Sequence, residues 1–134
     1  MKHISLLFLI LSAYANFAQT KSRIQAGDIQ QLAITYQQCL DKGENMYGCA
    51  VVYYTQLDSC LNVAYKQLRN KLDKNQQVTL KLEELNWLKT RDQKFKTIDQ
   101  TNTIQGRDGD MIVQDKKDAI VKERVLQLIK KLEN

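Results

Sequence analysis

The sequence predicts an all-α protein, an antiparallel helical hairpin or bundle of about four helices with a disulfide near its N-terminal end. Three observations predict it. Apolar residues recur at intervals of three and four along nearly the whole chain, the spacing that gathers them on one face of a 3.6-residue helix. The 134 residues contain no proline, so no position forbids a long uninterrupted helix. The polar breaks between the periodic stretches are short, and short connections make successive helices antiparallel neighbours.

Residues 1–18 stand apart from this pattern. Lys2 supplies a positive start, Ile4 to Leu11 is a compact apolar run, and small residues follow. This is the layout of a secretory signal peptide, and the run is too short to span a bilayer stably. Ala13-Tyr14-Ala15 fits the small-x-small cleavage rule, and a cut after Ala18 that exposes Gln19 fits equally. No cysteine follows the run directly, so a bacterial lipid anchor is not expected. The chain thus divides into a signal peptide, 1–18, and one helical domain, 19–134, destined for the periplasm or secretion. No stable membrane span is expected after cleavage.

Asp28 is placed to cap a first helix that carries Ile29, Leu32, Ala33, Tyr36 and Leu40 on one face. Asp41-Lys42-Gly43-Glu44-Asn45 ends it. A second helix is expected from about Met46 to Asp73, with Tyr53, Leu57, Leu61, Ala64, Leu68 and Leu72 as its stripe. Val51 to Tyr54 favour a strand locally, but the flanking helical period outweighs them. After a bend at Lys74-Asn75, a third helix begins near Gln76, turns Val78, Leu82, Leu85, Leu88 and Phe95 inward, and fades around Ile98. The stretch from Asp99 to Asp110 is polar, holds Gly106 and Gly109 and shows no period, so it reads as a loop. A final amphipathic helix runs from about Met111 to Leu132. Ile120, Val121, Val125, Leu128 and Leu132 face in, and Lys116, Lys117, Lys122, Lys130 and Lys131 form the wet face. There is no internal repeat or low-complexity segment.

Three cysteines, Cys39, Cys49 and Cys60, enter an oxidising compartment. Cys49 and Cys60 share a helix, where eleven residues rise by about 16 Å, beyond disulfide reach. Cys39 precedes a turn and can fold back, so a Cys39–Cys49 bridge is expected. Cys60 is left as a buried free thiol or a link between two copies, which makes the protein a monomer or a weak or Cys60-linked dimer. A zinc site is a poor third, because three thiols alone leave it incomplete.

One absence narrows the chemistry. The only histidine, His3, leaves with the signal peptide, so the mature chain has no imidazole base and no histidine metal ligand. Removal of residues 1–18 also takes Lys2, their only charged residue, and lowers the formal net charge from +5 by one. The remaining positive excess is ordinary solubility chemistry, or an attraction to an acidic glycan, membrane surface or nucleic acid. No nucleic-acid-binding motif supports the last. No cofactor, metal or catalytic residue is expected.

Asp58, Asn62 and Tyr65 fall four and three apart and line one side of the second helix. Asp92 lies close to the stripe of the third, and Trp87 and Arg91 are an i,i+4 pair in which the guanidinium covers the indole. If the two helices are antiparallel, Arg91 is placed to meet Asp58, and Arg124 to meet Asp92. Such charges near core positions read as a half-buried network that sets helix register, in preference to an Asp58–Asp92 acid–base pair that lacks a third group to orient a substrate. In the loop, Asp99, Asn102, Asp108 and Asp110 do not match a calcium loop. With Arg107 they are candidates for contact with a partner.

Met46-Tyr47-Gly48-Cys49, the run Asp58 to Tyr65 and Trp87-Leu88-Lys89-Thr90-Arg91-Asp92 together resemble the lysozyme-inhibitor LprI-type domain, from Cys39 to Leu128. Arg124-Val125 and Leu128 resemble the closing arginine-containing helix of that family. The resemblance implies a small secreted or periplasmic helical protein that is not an enzyme. It implies a protein partner in the cell envelope, with lysozyme or another cell-wall hydrolase as the target to be inhibited; the alternative is a structural or protein-interaction module without inhibitory activity. Many members carry a cysteine shortly after the Arg-Asp pair and another before the arginine of the last helix. Here Phe95 stands at the first place, and the second falls near Lys117. Cys60 matches no demand of the family pattern. Vertebrate-type lysozymes are basic, so a net positive partner gains nothing from long-range steering.

Overall fold

A computed structural model describes residues 23–134; the segment 1–18 expected to be a signal peptide lies outside them. Four helices follow in order, α1 (Ala26–Leu40), α2 (Met46–Lys71), α3 (Lys74–Thr101) and α4 (Gly106–Glu133), with no strand among the described residues. Short-range chemistry sets their starts. Gln25 and Asp28 form a reciprocal capping box on α1, so Asp28 closes the box from inside the helix instead of serving as the N-cap expected from the sequence. Asn45 caps α2 by accepting from the Gly48 amide at 3.0 Å. Asp73 accepts from the Gln76 amide at 2.9 Å while Gln76 returns a side-chain oxygen to the Asp73 amide at 3.1 Å, a second capping box that makes the α2–α3 turn abrupt.

The core is a seam between α2 and α4. Tyr53, Leu57, Leu61, Ala64 and Leu68 of α2 and Val121, Val125, Leu128, Ile129 and Leu132 of α4 are all buried in one cluster. These two helices run in the same direction. Lys71 Nζ donates to the Leu132 carbonyl at 2.7 Å at one end, and Asp118 lies in reach of Tyr53 at the other. Arg23 also donates to the Leu132 carbonyl, so two cations meet the negative end of α4. α1 lies antiparallel on α2: the Ile24 amide donates to Gln67 at 3.0 Å, and Tyr36 stacks on Tyr53 with centroids 4.6 Å apart. The Cys39–Cys49 bridge closes this hairpin, with Cα atoms 5.8 Å apart.

α3 corrects two expectations. Val78, Leu82 and Leu85, expected to face in, are 59%, 62% and 52% exposed. Leu80 is the buried residue of this helix, with Trp87 and Phe95 packed beside the core. The apolar residues of α3 fall on two opposed faces, so helical spacing alone does not choose between them. α3 also rests mainly on α4, whereas the chief neighbour of α2 is α4 and not the sequence-adjacent α3.

The expected loop from Asp99 to Asp110 shrinks to residues 102–105. Asp99 belongs to the last turn of α3, and Arg107, Asp108 and Asp110 to the first turns of α4. Gly109 does not break the helix: a side chain there would collide with the Ile104 carbonyl, so glycine lets α4 approach the connection closely. Asn102 ties that connection together, donating to the Ile104 carbonyl at 2.9 Å and accepting from its amide at 3.3 Å.

Removing the bridge, by reduction or by replacing Cys39 and Cys49 together with alanine, is expected to cost about 2–3 kcal/mol, since the closed loop is short. Far-UV dichroism should retain its helical intensity while chemical denaturation shifts to lower denaturant, because the α2–α4 seam does not depend on the bridge.

Candidate functional site

Two polar clusters form around buried residues of α4, Arg124 and Asp118. The first surrounds Arg124, only 4% exposed in the α4 stripe between Val121 and Leu128. Its Nη2 and Nε donate to Glu84 Oε2 at 2.6 and 3.0 Å, and its Nη1 donates to Glu83 Oε1 at 2.9 Å. The guanidinium also lies over the Trp87 ring, 5.6 Å from its centroid. Lys131 adds a second cation to Glu83 at 2.7 Å. Burial acts to raise the Glu83 carboxyl, but the hydrogen bonds and charges of Lys131 and Arg124 outweigh it and hold the group below its usual range. The sequence singled out Arg124 and Trp87 but placed Asp92 opposite the arginine. Glu83 and Glu84 were missed; the signal that finds them is their position four and three residues before Trp87.

Asp92 instead pairs with its neighbour Arg91, at 2.7 Å. Arg91 lies 5.5 Å from the Trp87 centroid and 5.6 Å from that of Phe95. Asn62 donates to the Asp58 carbonyl at 3.1 Å within α2, and Tyr65 is half-buried against the core. What Asp58, Arg91 and Asp92 share is Tyr54: all three charges act on it, while burial is the largest influence and raises its hydroxyl. Tyr54 also packs on Phe95, centroids 6.3 Å apart. Phe95 in turn meets Lys117, whose ammonium lies 5.5 Å from the ring centroid and bonds Asp99 at 2.7 Å. Lys117 thus ties α4 to α3 through a cation–π contact with Phe95 and an ion pair with Asp99.

The second cluster, at the α1–α2–α4 junction, was not singled out by the sequence. Asp118 is 3% exposed; Gln114 donates to its Oδ1 at 2.9 Å, and its Oδ2 has no partner among the described residues. Its surroundings are acidic or neutral: Asp115 on its own helix, Tyr36 on α1, Tyr53 and Tyr54 on α2. Burial pushes the Asp118 carboxyl up to about 6, against the Gln114 hydrogen bond and with help from Asp115. Tyr36 donates to Asp115, and burial followed by that bond raises its hydroxyl. No histidine is needed for a group that titrates in this range.

Beyond these clusters, the disulfide end of the bundle presents apolar side chains to solvent. Met46, Tyr47, Val51 and Val52 of α2 and Ile104 of the α3–α4 connection are all exposed. A shallow groove of about 330 Å³ runs beside them, lined by Tyr36, Cys39, Gly48, Cys49, Val52 and Tyr53. Gly48 leaves room for the capping Asn45, whose side chain a Cβ there would strike. Of the residues expected to contact a partner, Arg107, Asp108 and Asp110 are exposed at this end and Asn102 is half-buried; Asp99 is taken up by Lys117. Cys60 is half-buried at a distance from the bridge, its thiol pushed up first by burial and then by Asp28.

The family model described as lysozyme inhibitor LprI matches residues 38–128, about two thirds of the chain. No curated protein and no solved structure matches it.

Two substitutions test these clusters. Arg124→Met leaves Glu84 half-enclosed without its cation and is expected to destabilise the fold by about 2–4 kcal/mol, read from urea denaturation. Asp118 has the opposite sign. The unfolded chain releases this proton near 3.8 and the native state near 6, so the native state binds more protons in between and stability rises as pH falls through that window, by at most about 3 kcal/mol. Asp118→Asn should raise stability at pH 7.5 and flatten that slope; an unchanged slope would mean another group carries it.

Proposed function

The chain belongs to the LprI lysozyme-inhibitor family, and from that premise we propose that it is a non-enzymatic binding protein of the cell envelope whose target is a lysozyme or a related cell-wall hydrolase. The family match carries the reading. The division into a cleaved signal peptide, 1–18, and a mature domain, 19–134, belongs to the same proposal, supported by the charged and apolar start and by a disulfide that needs an oxidising compartment. The reading as a non-enzyme rests on the mature sequence, which has no imidazole, and on the engagement of Asp92 with Arg91.

The binding surface is assigned to the disulfide end. Stable interfaces centre on apolar and aromatic side chains with a polar rim. Tyr47, Val51 and Val52 supply such a centre beside the groove, and Arg107, Asp108 and Asp110 supply polar groups at the same end. The bridge and the Tyr36–Tyr53 stack hold this surface in shape before binding, which lowers the ordering cost of association. Apolar contact of this kind needs no charge attraction, consistent with a basic target.

The oxidised protein from Gln19 onward should inhibit lysozyme-catalysed lysis of a bacterial cell suspension at micromolar excess. Tyr47→Ala combined with Val52→Asp should weaken inhibition about tenfold or more with an unchanged melting temperature. Absence of inhibition by the native protein sinks the lysozyme reading.

A further inference from the structure

We propose that the outer face of α3 is a docking surface for an anionic lipid bilayer. Val78, Leu82 and Leu85, spaced i, i+4 and i+7, form a row that is more than half exposed at every position. Lys74, Lys81, Lys89 and Lys96 are exposed and flank or continue the same row. Lys74 lies four residues before Val78, Lys81 three after it, Lys89 four after Leu85, and Lys96 eighteen after Val78, a whole number of helical turns. The strip is about 33 Å long. None of these four lysines has an ion-pair partner among the described residues.

The acids of α3 are each engaged by a cation, including Asp92, which falls on the same side as Lys89 and Lys96. Glu83 and Glu84 turn toward α4 and are held by Arg124 and Lys131, Asp99 is held by Lys117, and Asp92 is neutralised by Arg91. The helix therefore keeps its negative charge engaged and offers free positive charge with protruding apolar side chains. A second copy of this chain is a poor occupant, since it would set lysine against lysine. The strip is one face of a single helix and therefore convex. A planar anionic surface accepts it without shape complementarity: the apolar row enters the headgroup boundary while the long lysine stems lift their ammonium groups to the phosphates. Association is peripheral, because no described helix is long and apolar enough to cross a membrane. It does not depend on the disulfide end and stands or falls apart from lysozyme inhibition.

The test is co-sedimentation of the protein from Gln19 onward with vesicles of equal parts phosphatidylglycerol and phosphatidylcholine, against vesicles of phosphatidylcholine alone. The expected result is binding to the anionic vesicles only, weakened at high salt. Replacing Lys74, Lys81, Lys89 and Lys96 together with glutamine should reduce binding by roughly tenfold or more, and Leu82→Ser with Leu85→Ser should reduce it comparably. All six side chains are exposed, and thermal unfolding verifies that both variants fold. No binding by the native protein, equal binding to both vesicles, or variants that bind like the native protein would each overturn the proposal. So would a dimer on a sizing column that the serine variant dissolves, which would assign the face to a second copy.

Discussion

One buried cation organises the half of the molecule built by α3 and α4. Arg124 sits in the apolar stripe of α4, where a lone guanidinium would be costly, and it is tolerated because Glu83, Glu84 and the Trp87 ring enclose it. Those three groups lie on one face of α3. Satisfying Arg124 therefore fixes the rotation of α3 about its own axis. The consequence appears on the opposite side of that helix, where Val78, Leu82 and Leu85 are turned to solvent.

The other half of the molecule is held by different means. α1 is anchored by the Cys39–Cys49 bridge, the Tyr36–Tyr53 stack and the Ile24–Gln67 hydrogen bond. Into this junction α4 inserts Asp118, a carboxyl with one unpartnered oxygen and no facing cation among the described residues. The bridge and the buried acid act in opposite directions at neutral pH: one stabilises the end of the bundle, the other strains it.

The sequence pointed to an ionic and cation–π network among the signature residues, but not to the partners that complete it. In place of the expected Arg124–Asp92 and Arg91–Asp58 pairs, the rotation of α3 brings Glu83 and Glu84 to Arg124, and Arg91 pairs with its own chain neighbour Asp92. Asp118 left no trace in the pattern, because an aspartate between Lys117 and Ala119 looks like any solvated position until the neighbouring helices close over it. The polar run from Asp99 to Asp110 was read as a loop for its glycines, yet Gly109 is there for close approach and lies within α4.

The sequence by itself determined the all-α class, the number of helices, the core stripes of α2 and α4, and the Cys39–Cys49 pairing. Each follows from short-range rules: periodicity, capping side chains, the absence of proline and the reach of a disulfide. The tertiary structure alone decided that α2 packs along α4 in preference to α3, and which of the two apolar faces of α3 is buried. Both faces obey the same helical spacing, so local sequence cannot rank them. The choice rests on the desolvation of one arginine on another helix, about forty residues away in the chain.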